Sequence, residues 1–143
     1  MSKEFELKLS PKSQKYLNKM PELAREGAYK GLKRAMLDVE SHSVAHFTDK
    51  GLHVRSGLLR NSINSKVLKK DKDTLLGVLG ANTPYAAIHE LGGTISHSNL
   101  FGRGISAQIN MPRREYLEPA IINNLRNIID AVSDSIVKEV EMR

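Results

Sequence analysis

Residues 119–140, PAIINNLRNIIDAVSDSIVKEV, decide the architecture. Ile121, Ile122, Leu125, Ile128, Ile129, Val132, Ile136 and Val140 recur at helical spacing, with polar and charged residues between them. The spacing predicts one amphipathic helix of about six turns from Pro119 to Val140. A helix with an apolar stripe needs a surface to lie on, so the rest of the chain is read for one.

A second stripe runs through Leu23, Ala24, Ala28, Leu32, Ala35, Met36, Val39 and Phe47 and predicts a long helix over Glu22–Phe47. Lys30, Lys33 and Arg34 fall off that stripe. Pro21 suits its first turn, Glu22 and Glu26 sit near its positive end, and Gly51 supplies a stop. Phe5, Leu7 and Leu9 alternate with charges, a strand signal that ends at Ser10-Pro11. Ser56 is placed to cap a short helix reaching Ile63. Ile63–Leu68 and Leu75–Ala81 flank the polar turn Lys69–Asp73 as a β-hairpin, in which Gly77 and Gly80 mark the close approach of another element. Tyr85–Leu91 reads as a short helix stopped by Gly92-Gly93. Residues 94–110 read as a flexible loop in which Thr94–Ser96 and Gln108–Met111 could pair as strands. The expected fold is a single α+β domain: a small antiparallel β-sheet with the N-terminal and C-terminal amphipathic helices packed on it, residues 1–20 forming an arm or strand.

With 143 residues, 40% hydrophobic and 27% charged, the chain has the balance of one globular domain. It has no cysteine, which excludes disulfides, thiolate-held zinc and a thiol nucleophile, and fits a reducing cytoplasm. No apolar run reaches the roughly 18 residues of a membrane span, and the N-terminus lacks the apolar core of a signal peptide. The net charge of +6 is unevenly spread: residues 1–70 hold 15 Lys/Arg against 7 Asp/Glu, residues 71–143 only 7 against 9. That asymmetry suits an anionic partner for the first half, or a solvated helix face.

The sequence carries no catalytic constellation. His89-Glu90 begins like a helical zinc-protease signature, but Gly93 stands where the second histidine belongs. His42 and His46 share a helix face and His53 follows, a weak metal set with no third ligand assured. Gly102-Arg103-Gly104 is too short to cradle a phosphate. The basic residues, among them Arg55, Arg60, Lys66, Lys69 and Lys70, could meet phosphates but have no zinc-finger, aromatic-studded or helix-turn-helix setting to read bases. No cofactor is expected.

Three segments in order carry a resemblance: Arg55–Ile63 (RSGLLRNSI), Asn82–Gly93 (NTPYAAIHELGG) and Met111–Ala120 (MPRREYLEPA), followed by the terminal helix. Together, over roughly residues 22–143, they resemble the tail-completion and virion-morphogenesis proteins of long-tailed phages and prophages. This chain departs from that pattern at Arg113, where a small residue is usual, and at Glu115-Tyr116, where Pro-Phe is usual. The resemblance implies a non-enzymatic, ring-forming component of the virion neck, sixfold in the family's manner. Tail completion and head closure both remain open. It implies contacts with further copies, with other neck and tail-tube proteins and with DNA in transit. It places the protein in the virion, at the head–tail interface or in the tail, after assembly in the host cytoplasm. The interface or structural residues expected on this basis are Arg60, Tyr85, Glu90, Arg103, Arg113, Arg114 and Tyr116, with Glu90 holding an arginine of its own chain or of a neighbour. The alternative is a small basic DNA-binding accessory protein; a metal-dependent hydrolase using His42, His46 and His53 ranks behind both.

Overall fold

The computed structural model describes residues 1–8, 10–14, 22–47, 57–100 and 105–141, with the backbone alone at 97–100 and 105–106. Its elements are β1 (Ser2–Lys8), α1 (Glu22–Ala45), α2 (Leu58–Asn61), β2 (Ile63–Lys69), β3 (Thr74–Ala81), α3 (Ala86–Leu91), β4 (Gly93–Leu100), β5 (Ile105–Met111), α4 (Glu118–Ile122) and α5 (Leu125–Glu141). This is the expected α+β arrangement.

Three strands form an antiparallel sheet in the order β1-β3-β2. Phe5 and Val67 flank Gly77 across the two ladders, and Leu7 and Lys69 flank Leu75. Alternation along β3 therefore turns Leu75, Gly77, Leu79 and Ala81 to one face, where α1 lies. Gly77 admits that helix: a Cβ there would stand 2.8 Å from the Met36 sulfur. Ser65 reinforces the contact by donating to Glu40 of α1 at 2.7 Å.

One core joins sheet and helices. Leu32, Met36 and Val39 of α1 meet Ile63 and Leu79 of the sheet, and Tyr116, Leu117, Ile121, Ile128 and Val132 close it from the C-terminal side. The backbones of α1 and α5 touch. A Cβ on Gly27 would lie 2.8 Å from the Ser135 carbonyl oxygen and one on Gly31 2.8 Å from the Ala131 carbonyl oxygen. Lys30 pairs with Glu26 at 3.0 Å and with Glu139 of α5 at 3.2 Å, and this double partnership raises its pKa.

One expectation needs revision. The C-terminal stripe is not one helix: α4 ends at Ile122 and α5 starts at Leu125. Asn124 is buried between them and its side-chain amide donates to the Ala120 carbonyl at 2.8 Å, a local bond that competes with helical pairing. Ile121, Ile128 and Val132 face the core, whereas Ile122, Leu125 and Ile129 are exposed. In residues 94–110 the expected pairing of Thr94–Ser96 with Gln108–Met111 is present and extends further, β4 and β5 running in register from Gly93–Met111 to Ser98–Ser106. The expected caps at Ser56, Pro21 and Gly51 lie outside the described residues, as do Leu9, Arg55, His53 and Arg103.

Candidate assembly surface

α3 ends at Gly92, whose φ of +71° is one that glycine adopts without strain. Its N–H donates to the Ile88 carbonyl at 2.9 Å. A Cβ at Gly92 would stand 2.8 Å from the Arg113 nitrogen and 3.1 Å from the Met111 carbonyl oxygen, so the two legs of the β4–β5 hairpin touch at their root. From there β4 leaves and β5 returns, and residues 112–117 lead on to α4.

Glu90 ties this root together. α4 has no side-chain cap of its own, since Leu117 stands at the N-cap position. The N–H groups at and just before its start turn instead to the fully buried Glu90 carboxylate: Tyr116 at 2.8 Å, Leu117 at 3.1 Å and Glu118 at 3.0 Å. A buried carboxylate is costly unless its oxygens are bonded, and three backbone donors at a helix start supply both bonds and positive potential. The partner expected for Glu90 was an arginine; backbone amides take that place.

Tyr116 is equally buried. Its hydroxyl reaches the Ala86 carbonyl at 3.4 Å and its ring meets Phe47 edge-on at 5.2 Å, while Ser43 donates to its carbonyl at 2.8 Å. Burial and then the Glu90 charge hold its hydroxyl well above the ordinary tyrosine value. The Arg114 N–H donates to the His89 carbonyl at 2.8 Å. Arg113 pairs with Glu115 and, at 3.1 Å, with Glu118, which also holds Lys3 at 3.2 Å. Tyr85, partly exposed, sits edge-on to His89 with centroids 6.0 Å apart. Burial, followed by Arg114, lowers the His89 pKa, and its Nδ1 has no partner among the described residues.

The structure thus gathers Tyr85, Glu90, Arg113, Arg114 and Tyr116 into one knot, with Glu90 and Tyr116 inside it and the two arginines on its surface. Arg60 is exposed on α2 with no ion pair among the described residues, and Arg103 lies outside them. Around the knot, large apolar side chains remain uncovered: Leu91 at the end of α3, Ile95 and Ile109 on the hairpin, and Ile122, Leu125 and Ile129 on α4–α5. The pairing of Thr94–Ser96 with Gln108–Met111 offered by the sequence is present, carried by the alternation of Thr94-Ile95-Ser96 and Gln108-Ile109-Asn110; what the sequence reading understated is the length of the strands.

Among the described residues no group of three His, Cys, Asp or Glu could hold a metal, and the His42 Nδ1 lies 2.7 Å from the Asp38 carbonyl oxygen of its own helix. Geometry of this kind serves to hold surfaces in place. No curated protein and no solved structure matches the chain. A family model described as the phage virion morphogenesis family matches residues 28–137, from α1 through the Glu90 knot and the hairpin into α5. The match covers well over half of the sequence, and the chain belongs to that family.

Proposed function

We propose that the protein is a ring-forming tail-completion or head–tail joining component of the virion neck, acting by shape and not by catalysis. The observation that carries this reading is the family match, which points to a structural part of phage assembly. The apolar surface supports it. Exposed large hydrophobics lie on separate elements, Leu37 on α1, Ile95 and Ile109 on the hairpin, Ile122 and Ile129 on α4–α5. A ring closed by rotation requires two different patches on each subunit, and a small domain that leaves several uncovered is suited to it. Its partners are further copies and the neighbouring neck and tail-tube proteins, with the basic groups near DNA in passage.

The DNA-binding alternative draws less support from the charges than composition suggests. Lys3, Lys30, Lys70, Arg25 and Arg113 are each paired with acids of the same chain. Duplex affinity of the purified protein that falls steeply with salt would favour it.

Electron microscopy of lysates from the parent phage with this gene inactivated tests the main reading. Filled heads separate from tails indicate a joining role, and tails of uncontrolled length a completion role. Normal particles would overturn both.

A further inference from the structure

The edges of the two sheets are protected differently. The edge strand β1 carries Lys3, Glu4, Glu6 and Lys8, and the edge strand β2 carries Lys66 and Lys69. Charged side chains on an edge discourage another strand from pairing there. β4 and β5 hold no Asp, Glu, Lys, Arg or Pro among their combined residues, and each has one side unpaired. The hairpin also lacks support. Among the described side chains none from it belongs to the core or packs against it, and a lone two-stranded hairpin is marginally stable in water. Its register turns Thr94, Ser96, Gln108 and Asn110 to one face and Ile95 and Ile109 to the other, with all six exposed. The strands are uncharged, two-faced and bare along both edges.

We propose that the hairpins of neighbouring copies pair edge to edge, β4 of one with β5 of the next, into a continuous antiparallel barrel at the centre of the oligomer. The occupant is a second copy because of the way the edges match. β4 and β5 run antiparallel, so a neighbour's β5 beside β4 continues the same antiparallel order. Each copy then satisfies both of its edges by one repeated contact, whereas a single strand from an unrelated protein leaves one edge open. The contact is heterologous, and in a ring its repetition by rotation closes the sheet, so that the barrel has no edge left. The bulge between Ser98 and Leu100 confines regular pairing to the root half of the arm, where the knot holds it. This inference rests on the ring reading.

The chain has no cysteine, so single cysteines report contacts cleanly. Proteins carrying Thr94→Cys or Ser96→Cys in β4 are mixed with proteins carrying Gln108→Cys or Asn110→Cys in β5, co-assembled and oxidised. The expected result is a disulfide dimer in at least one β4–β5 mixture and none from any variant alone. Dimers from a β4 variant by itself would mean symmetric β4–β4 pairing and would overturn the proposal, as would the absence of dimers in every mixture. In parallel, Ser96→Lys places a charge on the bare strand and should reduce the mass seen by light scattering from that of the oligomer to the 15.9 kDa monomer. An oligomer that survives Ser96→Lys overturns the barrel while leaving the ring, and the particle phenotype tests the neck role separately.

Discussion

Glu90 shows how one side chain sets the geometry of a region. Its carboxylate bonds three N–H groups at the start of α4, 26 to 28 residues away along the chain. Glu90→Ala should destabilise the fold by about 3 kcal/mol, because three donors, two buried and one part-buried, lose their acceptor together. Glu90→Gln keeps the shape but puts an amide N–H₂ against backbone donors, and should cost about 2 kcal/mol. Urea denaturation measures both, and a loss of assembly at unchanged stability would contradict the internal role. His89, beside it, gives a pH dependence with a definite sign. Burial and Arg114 lower its pKa in the folded state from the ordinary 6.5, so as pH falls through that value the unfolded chain takes up the proton first. Stability is therefore complete above about pH 6.5 and declines below it until the folded pKa is passed. The urea midpoint followed from about pH 8 to pH 5 should fall in the acid part of that window, and His89→Gln should flatten the decline.

Among the elements, the helix pair α1–α5 depends on two glycines that an apolar-stripe reading passes over. Alanine favours a helix over glycine by about 1 kcal/mol, so propensity alone makes Gly31→Ala stabilising. The structure predicts the opposite. The new Cβ would stand 2.8 Å from the Ala131 carbonyl oxygen and from Val132 Cα, both backbone atoms, so the helices must separate. A net loss of about 1–3 kcal/mol is expected, read as a lower thermal midpoint. The same elements show what could be read in advance. Long stripes such as Leu32, Met36 and Val39 announced α1, and Gly77 announced the close approach that Met36 makes. The break at Asn123-Asn124 was not legible, since the isoleucines keep helical spacing across it and only the buried Asn124 bond interrupts the ladder. Glu90 was singled out by its place in a pattern, but its partners are backbone amides, which no side-chain pattern reveals.

Over the whole molecule, packing divides body from arm. The core unites the three-stranded sheet with the helices α1 to α5, and among the described residues it takes nothing from the hairpin. Replacing residues 94–110 by a two-residue turn between Gly93 and Met111 should therefore leave the body's unfolding free energy within about 1 kcal/mol of the native value. Calorimetry checks that, and a large loss would show the arm to be part of the cooperative unit. On the proposed neck reading such a division is useful, since it leaves the arm and the exposed α4–α5 flank to neighbours while the core lies elsewhere.

The Glu90 clasp has one more effect, on what variation the chain tolerates. By joining α3 to the start of α4 it closes a loop whose intervening residues are the arm itself. The entropy of closing a loop grows only as the logarithm of its length, so doubling that segment costs about 0.6 kcal/mol. Insertions and wholesale rewriting of the arm are thus cheap while the clasp stands, and mutations in the clasp are not. Relatives facing differently shaped neighbours should accordingly differ in arm length and composition around a retained carboxylate, and the same place is where a foreign peptide could be grafted without unfolding its host.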